Sequence, residues 1–151
     1  MKRKLVVLVV AAVWAVAGGT GALAASGPAP NGTNFCPFTF MNTASGPDPD
    51  FVTLTGPSAI PASGTTPVGV TASESEGAPN TVTLQLMVKS TQGGSSMSAS
   101  STGKHNTTTT VKLAGQPGVT YTIDWFATFD NGIHPCSSAL PGYHPFTITS
   151  G

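Results

Sequence analysis

Residues 119–129 read VTYTIDWFATF. Tyr121, Ile123, Trp125, Ala127 and Phe129 take every second position, and Thr120, Thr122, Asp124, Phe126 and Thr128 fill the places between. In an extended chain successive side chains point to opposite faces, so this period of two predicts a strand with one apolar and one mostly polar face. Asp130, Asn131 and Gly132 end it with a turn signal.

The same period recurs on both sides. In Thr81 to Lys89, Val82, Leu84, Leu86 and Val88 are set to face inward, with Thr83, Gln85, Met87 and Lys89 facing outward. Shorter alternations are Cys36, Phe38 and Phe40, with Pro37 suggesting an edge strand, then Val52 and Leu54, and Val68, Val70 and Ala72. Val111 and Leu113 follow in Thr108 to Leu113, and Phe146 and Ile148 in Tyr143 to Thr149. Ser90 to Thr107 is polar and rich in Gly and Ser, which predicts a long loop with at most one weak strand. Seven to eight strands and no amphipathic helix beyond residue 24 indicate an all-β domain. The expected architecture is an antiparallel two-sheet sandwich, with a small barrel as the alternative.

Pro117, Gly118, Val119, Thr120 and Tyr121, followed by the alternation to Phe129, resemble the turn and strand that carry the tyrosine corner of immunoglobulin-like and fibronectin type III domains. The resemblance covers about 20 residues. It implies an immunoglobulin-like sandwich in which the Tyr121 hydroxyl bonds a backbone group a few residues upstream. An immunoglobulin inter-sheet cysteine stands two residues after that tyrosine, whereas Cys136 comes fifteen residues after it.

The N-terminus carries an address. Lys2, Arg3 and Lys4 precede an apolar run from Leu5 to Ala17, and Ala22 and Ala24 stand where a signal peptidase reads small residues. Residues 1–24 are expected to be a secretory signal peptide, 25–34 a flexible leader and 35–151 the folded domain. The run breaks at Gly18 and Gly19, short of a membrane span. The product is expected to be secreted and, from its Ala-, Gly- and Thr-rich composition, bacterial. An exported chain meets oxidising conditions, so Cys36 and Cys136 are expected to form a disulfide. Beyond Ala24 there remain three lysines, no arginine and six carboxylates, a balance of −3 with histidines neutral. That set cannot neutralise a row of phosphates, which argues against nucleic acid and against anionic lipid as partners.

Signals of catalysis are weak. No Gly-x-Ser-x-Gly elbow occurs. Gly103, Lys104 and His105 miss the phosphate-loop pattern, because Ser98 replaces the first glycine and His105 the metal-binding hydroxyl. The carboxylate pairs Asp48 with Asp50 and Glu74 with Glu76 lie in turn-like stretches, and Asp124 with Asp130 lies on and beyond an outer strand face. The chain is read as non-catalytic, with no cofactor. Three binding readings follow. Phe126 and Met87 are apolar at outward positions, so either the Cys36 strand covers them or, with Ile133 and Tyr143, they form a surface that binds an extracellular polymer or protein. The loop from Ile133 to Tyr143, with Leu140, is the candidate for an inhibitor of an extracellular enzyme. His134 and His144, helped by Asp130, are the candidate transition-metal ligands.

Overall fold

The computed structural model describes residues 32–36, 50–74, 81–94, 96–129, 132 and 134–151. The proposed signal peptide, Phe38, Phe40, Asp130 and Ile133 lie outside them. The described chain is all β: β1 (Thr33–Cys36), β2 (Asp50–Leu54), β3 (Ala59–Ile60), β4 (Thr65–Ser73), β5 (Thr81–Ser90), β6 (Met97–Lys104), β7 (Asn106–Ala114), β8 (Val119–Phe129), β9 (His134–Ser137) and β10 (Phe146–Ser150).

Two sheets form. One has the order β1-β2-β4-β7 and is antiparallel throughout. The other runs β3-β10-β8-β5-β6, with β9 also paired to β8. It is mixed, because β10 runs parallel to β3; this corrects the expectation of a wholly antiparallel sandwich. The expected count of seven to eight strands also falls short of these ten. The additions are β3, β9 and a full β6, all in stretches without an apolar period. The described residues begin at Gly32, and β1 opens at Thr33. In β1 the inward residues are Asn34 and Cys36.

The sheets enclose one apolar core built from the alternating positions. Val52, Val68 and Val70 from the first sheet meet Leu84, Ile123, Trp125, Phe129, Phe146 and Ile148 from the second. Fully burying side chains of this size contributes about 1.5–3 kcal/mol each. β8 is the central element. Its one edge takes β5 along Tyr121 to Thr128, and its other edge takes β10 over Val119 to Ile123 and β9 over Phe126 to Phe129.

Local chemistry places β8. The Val119 N–H donates to the Gln116 carbonyl at 3.2 Å, and Gly118 has φ +71°. Proline followed by a left-handed glycine is the pairing a type II turn requires. The Tyr121 hydroxyl donates to the Ala114 carbonyl at 2.6 Å, seven residues upstream, bracing the passage from one sheet to the other. A second passage between the sheets, from β6 to β7, turns at His105, the one non-glycine with positive φ (+62°) among the described residues. Its carbonyl accepts the Glu74 N–H at 2.9 Å, and its Nδ1 lies 3.0 Å from Oε1 of the almost fully buried Glu74 carboxyl.

Cys36 and Cys136 are disulfide-bonded, joining β1 of one sheet to β9 of the other across 100 residues of sequence. In the chain-entropy account, closing a loop of that size removes about 4–5 kcal/mol of unfolded-state freedom.

Candidate functional site

The outer face of the six-stranded sheet carries a shallow groove of about 750 Å³ across β6, β5, β8 and the start of the chain after β9. Register explains its contents. Ser100, Gln85, Phe126 and Ser137 stand in one row across four strands, and Ser98, Met87 and Asp124 form the next. Each is at the outward phase of its strand, so the polar positions of the alternation are what meet here. Phe126 is 42% and Met87 47% exposed. The Cys36 strand does not cover them, because β1 lies in the other sheet.

The groove is electrically balanced. Lys89 Nζ donates to Asp124 Oδ2 at 2.8 Å. Ser138 Oγ lies 3.4 Å from the other Asp124 oxygen and accepts the Trp125 N–H at 3.1 Å. The rest of the lining offers hydroxyls from Ser98, Ser100 and Ser137 and the Gln85 amide. Such a surface presents two apolar contacts among neutral donors and acceptors.

The wall beyond β9 is held by Trp125. Its indole Nε1 donates to the His144 carbonyl at 3.1 Å, and the His144 N–H donates to Oδ1 of buried Asn34 at 3.3 Å. Two turns shape the segment between, Leu140 N–H to Ser137 carbonyl (3.1 Å) and Tyr143 N–H to Leu140 carbonyl (3.1 Å). Leu140 protrudes there, 45% exposed.

The residues singled out from sequence divide accordingly. Phe126 and Met87 come together in the groove. Tyr143 does not line it. Tyr143 is half-buried, edge-on to Trp125 with ring centroids 6.0 Å apart, and burial raises its hydroxyl above the ordinary pKa of 10.0. Nor does it lie in a strand, since β10 begins at Phe146. His144 acts through its backbone and its side chain is exposed. The His134 backbone pairs with Phe129. Among the described residues no three His, Cys, Asp or Glu side chains gather as a metal site. Ser98, Ser100, Ser137 and Ser138 were not visible as site residues. Their segments lack an apolar period, and their place follows from register alone.

No family model, curated protein or solved structure matches the chain.

Proposed function

We propose that this is a secreted, non-catalytic binding domain whose groove over Phe126 and Met87 holds a neutral extracellular polymer, a polysaccharide above all. The carrying observation is the pair of exposed apolar side chains set in register among Ser98, Ser100, Gln85 and Ser137. An aromatic ring flanked by hydroxyl and amide groups matches a sugar ring, which has apolar C–H faces and hydroxyl edges. The internal Lys89–Asp124 pair leaves the groove without net charge, which favours a neutral ligand over an acidic one. An open groove suits a long chain better than an enclosed small molecule. The immunoglobulin-like reading of the fold belongs here too, supported by the Tyr121 hydroxyl bond to Ala114. Secretion is supported by the signal-like N-terminus and by the disulfide.

The test is co-sedimentation of the oxidised chain from Ala25 with insoluble β-glucan, chitin and peptidoglycan. Trp125 fluorescence is followed alongside, since the buried indole lies next in sequence to Phe126 on β8 and is the one tryptophan beyond residue 24. Saturable binding that falls about tenfold in Phe126→Ala is expected. Binding indifferent to Phe126→Ala and Met87→Ala, or none to any polymer, overturns the reading.

A second reading rests on the braced segment after β9. Leu140 projects from two consecutive turns anchored by the Cys36–Cys136 bond, Trp125 and Asn34. A preorganised loop with an exposed leucine is the form an enzyme inhibitor takes. Inhibition of a secreted protease that disappears in Leu140→Ala, with melting unchanged, would establish it.

A further inference from the structure

The edges of the two sheets are not alike. β3 has two residues, β1 four, and β9 four with Pro135 among them. β7 is nine residues long and carries Lys112. Shortness, proline and inserted lysine are the usual protections of a sheet edge against further pairing. β6 has none of them along Met97 to Gly103. It runs eight residues, pairs with β5 on one side, and ends the six-stranded sheet on the other. No residue of β6 is buried, and among the described residues no backbone hydrogen bond joins it to β7. Its open side therefore presents a row of main-chain donors and acceptors.

The sequence of this edge is compatible with itself. Two antiparallel copies centred on Ser100 bring Ser100 opposite the partner's Ser100, Ser98 opposite the partner's Thr102, and Ala99 opposite the partner's Ser101. Met97, 39% exposed, comes opposite the partner's Gly103, which has no side chain to compete. The single charge of the strand, Lys104, comes opposite the partner's Ser96, so like charges do not meet. Hydroxyl pairs across strands are favourable, and small side chains let the backbones approach. A two-fold contact of this kind is closed, which ends growth at two copies.

We propose that β6 pairs with β6 of a second copy of this chain, forming a dimer with one continuous sheet. The two grooves then lie on the same face, with Phe126 about 24 Å from the partner's Phe126, five strand spacings away. The proposal does not rest on the polymer-binding reading, because it is read from mass alone.

Sedimentation velocity of the oxidised chain from Ala25, over a wide concentration range, is expected to show a monomer–dimer equilibrium. Ser100→Lys places like charges opposite each other and is expected to weaken the dimer about tenfold or more. Thr110→Lys, on the exposed outer face of the other sheet, is expected to leave it unchanged. Should Ser100→Lys fail to fold, Ser100→Cys decides: the two-fold register predicts covalent dimers on a non-reducing gel, with Thr110→Cys staying monomeric at the same concentration. A monomer up to about millimolar concentration overturns the proposal. So does a dimer indifferent to Ser100→Lys, or an edge that takes up added extended peptides without self-association.

Discussion

The outer faces of the two sheets present the same kinds of residue, but their phenylalanines are differently partnered. On the four-stranded sheet, Thr33, Thr53, Thr71 and Thr108 stand in one row across four strands and bond in two pairs, at 3.1 Å for Thr53 to Thr33 and 2.8 Å for Thr71 with Thr108. Its two phenylalanines, Phe35 and Phe51, meet edge to face at 5.1 Å. On the six-stranded sheet, Phe126 has no aromatic partner of that kind among the described residues, and it stands with Met87 over a groove. A face whose groups already satisfy one another has little to gain from a ligand. A face whose exposed ring has no such partner gains more from whatever covers it.

The contrast can be broken most severely where the two sheets are tied. Reducing Cys36–Cys136, or replacing both cysteines by alanine, is expected to lower unfolding stability by about 4 kcal/mol, as read from denaturant midpoints. A loss below about 1 kcal/mol would mean that non-covalent packing alone holds β1 on the core. Next in size is Tyr121→Phe. It leaves the Ala114 carbonyl without the hydroxyl that binds it at 2.6 Å, and a loss of about 1–2 kcal/mol is expected. No change in melting would show that the corner is held by the type II turn at Pro117 and Gly118 instead.

The sharpest comparison pairs two phenylalanines of similar exposure, 39% at Phe35 and 42% at Phe126. Phe35→Ala removes a ring contact on the closed face and is expected to cost about 0.5–1.5 kcal/mol of stability with polymer binding intact. Phe126→Ala is expected to change stability by less than about 0.5 kcal/mol and to abolish most of the binding. Equal effects of the two substitutions on both readouts would erase the distinction between the faces.

Much of this was legible in advance, for a physical reason. β8 and β5 alternate strictly because one face of each is buried over its whole length, and that burial is what selects apolar residues at every second position. The same strictness exposed Phe126 and Met87 as apolar residues out of phase. β6 gave no such signal. Its sequence, MSASSTGK, buries nothing, and it forms because β5 offers a ladder to its backbone along Thr81 to Val88. Main-chain pairing is blind to side chains, so a strand held by it alone reads as a loop. The groove was half legible for the same cause: its apolar floor belonged to patterned strands, and its serines to unpatterned ones. The start of β1 went unread because Asn34, polar by type, is buried to hold the His144 N–H. Tyr143 was misplaced because its ring follows Trp125 into the core rather than the strand that begins at Phe146.

The smallest effect concerns that ring. Burial disfavours the ionised phenolate, and Tyr143 has its pKa raised above 10.0 in the folded chain. A group whose pKa is raised by folding holds its proton more tightly in the native state. Its contribution to stability is therefore complete below the unfolded value and is lost as pH climbs through the folded one. Stability is expected to be insensitive to this group at neutral pH and to decline above pH 10.0. Tyr121→Phe leaves Tyr143 as the one tyrosine in the chain, so absorbance at the phenolate band then reports it alone. A midpoint above 10.0, falling back once the chain is unfolded in denaturant, would confirm that Tyr143 is packed on Trp125 as a wall of the braced segment. A midpoint at or below 10.0 in the folded protein would return the ring to solvent. It would then stand beside Phe126 and Met87 as a third exposed contact, and the surface open to a ligand would extend from the groove onto the segment after β9.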